Sequence, residues 1–351
     1  MILEFPDYYE TFQCIGSKCP DTCCAGWEVD VDPDSCEYYQ SIQGPFGDRL
    51  RKALTIDGED RYFPLDPAGR CPFLDHQNLC DIYKNLGEAS LCQTCTEYPR
   101  YFMNIGNYEQ IDMSLSCMEL GRIFFSDTTP VSYVRTENNE EGEPLTPEDQ
   151  QLLIEILALR NKAINLIQHP DRFFLSGWDA YMEDLKKIFA LCQEAENASD
   201  EELAASRAFQ RESYSDLYQC LSAFDVISDQ WSSRLPWYRQ IAAELDRSPE
   251  FLLHFLTQQS AEFFIWFRKL TVYFIYRYFI DTCIDQDPEI ELCLLYRSLR
   301  SILLMLIAEK QHTAMDSPVS RDEFIYIAHL FSKEVEHDEE NVTRIKGLSN
   351  Q

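Results

Sequence analysis

The sequence is poor in basic residues for its length. Its 351 residues include 30 Lys and Arg against 60 Asp and Glu, and the formal net charge is -30 at pH 7. Such a surface repels phosphate backbones and anionic lipid headgroups. We therefore expect neither nucleic acid nor a membrane as a partner. The charge either keeps the chain soluble or faces a lysine-bearing polypeptide.

The chain also lacks the features of a secreted or membrane-spanning protein. Residues 1–12, MILEFPDYYETF, have three acidic side chains and no Lys or Arg, whereas a secretion signal begins with a basic segment. The most apolar stretch, residues 251–280, is interrupted by charged side chains, whereas a membrane span needs about 20 nearly uncharged residues. We expect a cytoplasmic protein in which this aromatic stretch forms a core helix.

Cysteine, by contrast, is abundant and unevenly placed. Ten of the 14 cysteines lie between Cys14 and Cys117. A secreted disulfide scaffold would be short and exported, so thiols in a reducing compartment are the better interpretation. The remaining cysteines are expected to be small core residues, as free cysteines usually are. They are Cys192, Cys220, Cys283 and Cys293.

Nine of the ten clustered cysteines form a pattern that predicts a metal centre. Cys36 stands apart, and the nine are arranged as Cys14-x4-Cys19-x3-Cys23-Cys24, then Cys71-x8-Cys80-x11-Cys92-x2-Cys95, then Cys117. Soft thiolates that converge on one point are what tetrahedral zinc or an iron–sulfur cluster requires. One CxxC pair is present, and His76 is expected to be a loop residue rather than a ligand. Nine thiols are also more than the four ligands that one zinc ion binds. The pattern favours iron–sulfur, with one or two zinc ions or no metal as alternatives.

One class of iron–sulfur chemistry is not indicated. Radical cleavage of S-adenosylmethionine uses Cys-x3-Cys-x2-Cys, in which three thiolates leave one iron open. Cys19 and Cys23 have the first spacing, but Gly26 occupies the third position. The radical motif is therefore absent.

The chain divides into three predicted segments. Residues 1–128 are turn-rich and irregular, so we expect a metal to crosslink this cysteine-rich domain. Residues 129–150 are acidic and contain proline, which is typical of a connector. A helix cap is predicted at Thr146, and residues 151–351 show apolar residues at helical spacing. The sequence predicts a mainly α protein: an irregular cysteine-rich metal-cluster domain followed by an α-helical bundle.

Further helices are predicted from the apolar periodicity of the second half. A helix start is also predicted at Ser199, after an acidic loop. The predicted helices cover residues 176–195, 200–226, 235–246, 249–284, 287–311 and 321–346.

The motifs around the cysteines are specific. They are FQCIGSKCPDTCCAGWEV (residues 12–29), CPFLD (71–75), LCDIY (79–83), LCQTCTEYPR (91–100) and LSC (115–117), followed by FSKEVEHDEEN (331–341) near the C-terminus. Together they resemble the flagellin lysine-N-methylase, or FliB-type, family. The first motifs are also similar to small zinc- or iron-chelating proteins with a CxxCxxCC arrangement, which lack the helical half. Met118 stands where the family pattern has proline.

The resemblance implies a methyltransferase that uses S-adenosylmethionine, carries a [4Fe–4S] cluster and modifies lysine side chains of flagellin. No glycine-rich GxGxG loop follows a hydrophobic strand, so the common Rossmann-type methyltransferase fold is not indicated. An alternative is a non-catalytic zinc- or iron-chelating, or redox-sensing, protein with a helical interaction domain.

Methyl transfer to lysine sets requirements for a site. The amine must be unprotonated, so the site must desolvate it or offer a base, and aromatic faces can hold a cationic sulfonium. Each candidate also has a structural interpretation, such as core packing, a braced turn or a helix cap. His337 and Asn341 are predicted to share one helical face. The candidates are Tyr98, Glu336 and His337 for catalysis, and Trp27, Arg100 and Asn341 for cofactor binding.

Overall fold

Helices dominate the computed structural model, which describes residues 1–174, 177–195, 211–285, 287–313 and 317–347. The predicted mainly α fold is confirmed. The helices are α1 (Pro33–Ser41), α2 (Gly44–Ala53), α3 (Asp81–Leu86), α4 (Gln93–Glu97), α5 (Met118–Phe124), α6 (Pro147–Ile167), α7 (Pro170–Phe173), α8 (Trp178–Ala195), α9 (Tyr214–Ser222), α10 (Asp229–Arg247), α11 (Pro249–Thr257), α12 (Ala261–Tyr278), α13 (Thr282–Asp285), α14 (Pro288–Thr313), α15 (Arg321–Val335) and α16 (Glu339–Ile345).

Two small sheets lie in the first 140 residues, where the sequence indicated only irregular chain. In the four-stranded sheet the order is β5-β6-β1-β7, and β1 is parallel to β6. The three-stranded sheet is antiparallel, with the order β2-β4-β3. The strands are β1 (Ile2–Pro6), β2 (Val29–Asp30), β3 (Thr55–Asp57), β4 (Asp60–Phe63), β5 (Arg100–Ile105), β6 (Tyr108–Met113) and β7 (Tyr133–Glu137).

The segment interpreted as a connector, residues 129–150, contributes an edge strand. Its β7 pairs antiparallel with β1 at the N-terminus of the chain. Four of the five β7 residues are exposed, so the strand has no apolar alternation that the sequence could reveal. The helix cap at Thr146 is confirmed, since its side chain accepts a hydrogen bond from the Asp149 amide.

Two predicted helices are each interrupted by a polar cap, which corrects the sequence analysis. The predicted helix 249–284 ends at Thr257 and restarts after Ser260, whose hydroxyl accepts the Phe263 amide. The predicted helix 321–346 ends at Val335 and restarts after Asp338. A capping side chain competes with the helical backbone for its amides, and here it ends one helix and begins another.

The break between α15 and α16 separates two of the predicted site residues. His337 lies in the loop between α15 and α16, so the prediction that His337 and Asn341 share a helical face is wrong. Of the predicted helix 200–226, the described part is α9, which begins after a capping box at Ser213. The predicted helix start at Ser199 lies outside the described residues.

A large core fills the helical half, with α12 at its centre. Every residue from 263 to 278 is buried. The basic side chains of α12 are each paired with a carboxylate: Arg268 with Asp184 at 2.8 Å, Lys269 with Asp127 at 3.2 Å, and Arg277 with Asp112 at 2.8 Å. Within the described part of the chain, no helix is long and apolar enough to span a bilayer.

A second, small core lies in the cysteine-rich part. It joins the three-stranded sheet, α1, α2 and α3, and several cysteines belong to it. Residues from Met113 onward belong to the large core instead, so the end of the predicted cysteine-rich domain packs on the helices. The two parts meet closely at Gly121, where an added Cβ would lie 2.8 Å from the Ile325 side chain.

Candidate active site and thiol groups

The ten cysteines between Cys14 and Cys117 are free thiols. Outside the predicted metal pattern, Cys192 and Cys293 are buried and Cys220 and Cys283 are half-buried. Cys36 is buried in the small core, where the Gln40 amide donates to its Sγ at 3.4 Å.

Some of the pattern cysteines adjoin one another across long sequence separations: the Cys71 amide donates to the Cys24 carbonyl at 2.8 Å. The thiols of Cys23 and Cys24 are hydrogen-bonded, and this bond lowers the pKa of Cys24 to about 7. A second hydrogen bond joins the thiols of Cys92 and Cys95 and lowers the pKa of Cys92. Burial, by contrast, raises the pKa of Cys71 to about 12.

The donor set suits a thiophilic metal by its chemistry. Neighbouring soft sulfurs without any intervening disulfide are what zinc or an iron–sulfur cluster binds. Among the described residues, no three Cys, His, Asp or Glu side chains are already arranged around one point as metal ligands. Metal ligation would therefore require some of the sulfurs to move toward a common point.

Four aromatic rings gather beside these thiols, and we call them the aromatic cluster: Trp27, Tyr98, Tyr101 and His337. The Trp27 and His337 rings stack with centroids 4.4 Å apart at 24°. The Tyr98 ring lies 5.8 Å from His337 and 6.1 Å from Trp27, and Tyr101 completes the group at 6.5 Å from His337. All four are half-buried. The fold thus brings together three of the predicted site residues from distant parts of the chain.

Hydrogen bonds fix the His337 ring in place. Its Nε2 lies 2.7 Å from the Ser116 hydroxyl, and its Nδ1 lies 3.3 Å from the Tyr101 hydroxyl. The Tyr98 hydroxyl lies 3.0 Å from the same Ser116 hydroxyl. Burial, together with the nearby thiols of Cys23 and Cys117, raises the pKa of Tyr98. Tyr98 therefore stays protonated and does not act as a base.

Behind the aromatic cluster lies a buried polar network around Glu336. Its carboxylate accepts hydrogen bonds from Tyr273 at 2.6 Å and Ser114 at 2.9 Å, and it lies 3.1 Å from Arg277. Arg277 also pairs with Asp112 at 2.8 Å. Burial raises the pKa of Asp112 to about 6 even though Arg277 opposes it.

The electrostatic environment of His337 is unusual for a histidine. Burial, the nearby positive charges of Arg277 and Lys333, and the neighbouring His329 lower its pKa to about 3. Its imidazole is therefore neutral at physiological pH, with both ring nitrogens engaged in hydrogen bonds. A neutral ring of this kind accepts or donates hydrogen bonds well but binds a proton weakly.

The loop that contains Cys19 and Cys23 is bound to α15 through the carboxylate of Asp21. Asp21 lies 2.8 Å from Nε2 of His329 and 2.9 Å from Nζ of Lys333. Although burial opposes the shift, these two hydrogen bonds lower the pKa of Asp21 to about 2. Lys333 also lies 5.4 Å from the Trp27 ring centroid, a cation–π distance.

Two predicted cofactor-binding residues lie apart from the aromatic cluster. The guanidinium of Arg100 lies over the rings of Tyr9 and Phe12 at 5.3 and 5.2 Å. Asn341 is fully buried, and its side chain bonds to backbone groups of Asp225 and Glu334. In this structure Asn341 braces the loop that follows α15.

Sequence reasoning missed several residues of this site. Ser116 stands directly before Cys117, within a quoted motif, and Tyr101 directly follows the Tyr-Pro-Arg motif. Arg277 was visible only as a charge that interrupts an apolar helix. A charged side chain on the buried face of a core helix needs a buried partner, and that signal could have found Arg277.

A separate cavity of about 190 Å³ lies in the helical half. Its lining is mainly aromatic and aliphatic and includes Arg300, whose guanidinium lies 4.3 Å from the Tyr214 ring centroid. No residue predicted for the site lines this cavity.

Comparison with known proteins identifies the family. The family model described as the FliB lysine N-methylase C-terminal domain matches residues 150–351, which is more than half of the chain. The chain belongs to the FliB lysine N-methylase family. The matched residues make up the helical half, which supplies Glu336, His337 and Arg277.

Curated relatives of this FliB family member carry related names. Lysine-N-methylases of Salmonella typhimurium and Salmonella choleraesuis are 26% and 27% identical over 243 residues, or 60% of this chain and 60% of each relative. A flagellar biosynthetic protein FliU of Salmonella muenchen is 32% identical over 130 residues, 35% of this chain and 76% of that protein. No solved structure matches.

Proposed function

We propose that this FliB family member is an S-adenosylmethionine-dependent lysine N-methyltransferase that acts on flagellin in a reducing cytoplasm, with a [4Fe–4S] cluster on its cysteine thiolates. The observation that carries the proposal is the aromatic cluster, in which the neutral His337 is stacked on Trp27 beside the thiols. The names of the curated relatives support the reaction and its flagellar substrate.

The environment of the aromatic cluster favours a neutral lysine amine. Burial and neighbouring cations lower the pKa of His337, and the same factors would lower the pKa of a lysine amine bound beside it. The substrate lysine would then give its proton to solvent on binding, before methyl transfer. A strongly basic side chain is not needed for this step, which agrees with the protonated state of Tyr98.

The transfer itself requires alignment rather than electron transfer. The amine lone pair attacks the methyl carbon, the new C–N bond forms as the C–S bond breaks, and the sulfonium leaves as a neutral thioether. The rings of Trp27 and Tyr98 can face the sulfonium cation. His337, whose two ring nitrogens are held by Ser116 and Tyr101, can fix the stacked Trp27 ring in the orientation that the transfer requires.

The thiolate-bound metal is proposed mainly as an organiser of the site. Trp27 follows the Cys23–Cys24 pair by a few residues, and Tyr98 follows Cys95. When bound, a [4Fe–4S] cluster would supply soft covalent crosslinks that fix these loops, and it could also position the methyl donor. Zinc is the alternative metal.

The direct test is methyl transfer under anaerobic conditions. Protein purified without oxygen would be incubated with methyl-labelled S-adenosylmethionine and purified flagellin, and label in lysine would be measured by peptide mass spectrometry. We expect label in flagellin lysines. Metal-loaded protein that transfers no label would contradict the proposal and favour the non-catalytic chelating or redox-sensing alternative.

A matched pair of variants tests the role of the aromatic cluster. His337→Ala should lower the methyl-transfer rate by about 100-fold, the cost of a small misplacement of the reacting groups. His312→Ala is the control, because His312 also stacks on a tryptophan, Trp237, with centroids 4.2 Å apart, but lies at the end of α14, outside the aromatic cluster. Equal rates for the two variants would remove His337 from the mechanism.

A further inference from the structure

The four-stranded sheet has an open edge at β5, beside the aromatic cluster. β5 is an outer strand in the order β5-β6-β1-β7, so within the described part of the chain it pairs with β6 alone. Its residue Tyr101 belongs to the aromatic cluster, and the Tyr101 hydroxyl lies 3.3 Å from Nδ1 of His337. One strand therefore carries both an open edge and a ring of the candidate site.

Alternate residues of β5 direct their backbone groups away from β6. In an antiparallel pair, every second residue bonds to the partner strand, and the residues between them face the other way. The Ser114 amide donates to the Pro99 carbonyl at 2.8 Å, which fixes the alternation. Tyr101, two residues after Pro99, therefore bonds to β6, whereas the N–H and C=O groups of Phe102 and Asn104 face outward.

The outward-facing residues are accessible. Phe102 and Asn104 are both exposed, and 39% of Phe102 is open to solvent. Among the residues that the structure describes, none forms a hydrogen bond with the outward N–H or C=O groups of these two. A row of unpaired backbone groups of this kind is a template for a further strand.

A strand added at this edge would direct side chains toward the candidate site. Residues directly opposite each other on neighbouring strands share one face of the sheet, with Cβ atoms about 4.5–5.5 Å apart. A lysine opposite Tyr101 would therefore extend beside the Tyr101 ring, which lies 6.5 Å from the His337 ring. Backbone hydrogen bonds would supply the affinity, and the register would bring one lysine to the aromatic cluster.

The surroundings of β5 are acidic. The loop between β7 and α6 contacts the β5–β6 turn, where the Gly142 amide donates to the Asn107 side chain at 2.8 Å. That loop has exposed carboxylates at Glu140, Glu141 and Glu143. They add to a chain whose net charge is -30. A lysine-bearing segment is attracted to such an edge, whereas an acidic segment is repelled.

We infer that the open edge of β5 binds an extended, lysine-bearing segment of the protein substrate as an additional strand, with the target lysine opposite Tyr101. The outward backbone groups of Phe102 and Asn104 hold the segment. Because strand side chains alternate between faces, the register selects which lysine enters the site. This inference rests on the lysine methylation of a protein in the proposed function, and it adds how that protein is held.

Hydrogen–deuterium exchange read at single amides maps the edge directly. The full chain, purified without oxygen, would be compared alone and with an excess of purified flagellin. We expect slower exchange at the Phe102 and Asn104 amides and no change across β7, the opposite edge of the same sheet. Protection of β5 that grows with enzyme concentration in the absence of flagellin would assign the edge to self-association and overturn the inference.

A matched pair of proline variants tests the backbone contact. Phe102→Pro removes an outward N–H and keeps the bonds to β6, since an edge strand tolerates proline. Glu137→Pro does the same on β7, because the next amide, that of Asn138, donates to the Met1 carbonyl and leaves Glu137 facing outward. On immobilised flagellin, Phe102→Pro should bind about tenfold more weakly, and Glu137→Pro should bind like the wild type.

The outcomes distinguish strand addition from methyl transfer. If the wild type methylates flagellin, equal affinities of Phe102→Pro and Glu137→Pro, or no protection of β5, would overturn strand addition and leave the proposed function standing. Protection of β5 with a selective loss of affinity in Phe102→Pro, but no methyl transfer by the wild type, would support strand addition and contradict the proposed function. If Phe102→Pro does not fold, Asn104→Pro takes its place.

Discussion

The two larger hydrophobic cores of the described chain differ in size and in the residues that form them. The small core has ten buried hydrophobic residues, and three of them are cysteines: Cys36, Cys71 and Cys92. The large core extends from Met113 to Ile345 and encloses almost all of α12. A cluster as small as the first buries too little apolar surface to offset the ordering of its long loops. The proposed metal–thiolate bonds would supply what it lacks, whereas the large core needs no such addition.

The candidate site lies where these two parts meet. The cysteine-rich part contributes Trp27 and Tyr98, and the helical part contributes Glu336 and His337. Ser116 links them through its hydrogen bonds to Tyr98 and His337. The proposed metal centre in the first part would therefore control the site without touching the substrate, because it would hold the loops that carry Trp27 and Tyr98.

The largest effect is expected from a core substitution that tests whether the two parts are independent. Phe267 is fully buried in α12, and Phe267→Ala should lower the free energy of unfolding of the helical part by about 3–5 kcal/mol. Urea unfolding followed by circular dichroism measures it. The exposed Phe102 gives the control Phe102→Ala, with little change. Metal content should stay at the wild-type level in both variants, and its loss in Phe267→Ala would show that the cores are coupled.

A smaller effect is expected at the contact between the two parts. Gly26 has φ of +99°, and an added Cβ would lie 2.9 Å from the Ile227 side chain. Gly87 has a similar φ of +91° with nothing within 4 Å of an added Cβ. Gly26→Ala should therefore destabilise the protein by about 1 kcal/mol more than Gly87→Ala, because it adds overpacking to backbone strain. Equal unfolding midpoints for the two variants would mean that the contact at Ile227 is loose.

A further effect is expected from pH. His337 has a folded-state pKa of about 3, below its unfolded value near 6.5, so the unfolded chain binds the proton first as the pH falls. Stability that is present above pH 6.5 should decline as the pH is lowered toward 3. His337→Gln should lose less stability than the wild type between pH 7 and pH 5 in urea titrations, and His312→Gln should behave like the wild type. Identical pH dependence in all three proteins would contradict the neutral, buried state of His337.

Much of the helical half could be predicted from the sequence because apolar periodicity reports a buried helix face directly. The boundaries of α14 differ from the prediction by only one or two residues. The breaks after Thr257 and Val335 were missed because each depends on a single capping side chain, at Ser260 and Asp338, within an otherwise helical pattern. Local polar contacts of this kind leave little trace in periodicity.

The candidate site was predicted in part. Trp27, Tyr98, Glu336 and His337 were chosen from motifs near the cysteines and the C-terminus, and the fold brings them together. Arg100 came from the same motif as Tyr98, but it points to other rings. Neighbouring residues of a strand face opposite sides, so a motif alone could not tell which of Tyr98, Arg100 and Tyr101 would reach the site.

The central claim is that a thiolate-bound metal holds the cysteine-rich part, and with it half of the site, while the helical part is stable without metal. Hydrogen–deuterium exchange with mass spectrometry, on anaerobically purified protein before and after chelation, tests it most directly. We predict that chelation removes amide protection across residues 14–95 and leaves α12 and α14 protected. Unchanged protection across residues 14–95 in metal-free protein would contradict the claim.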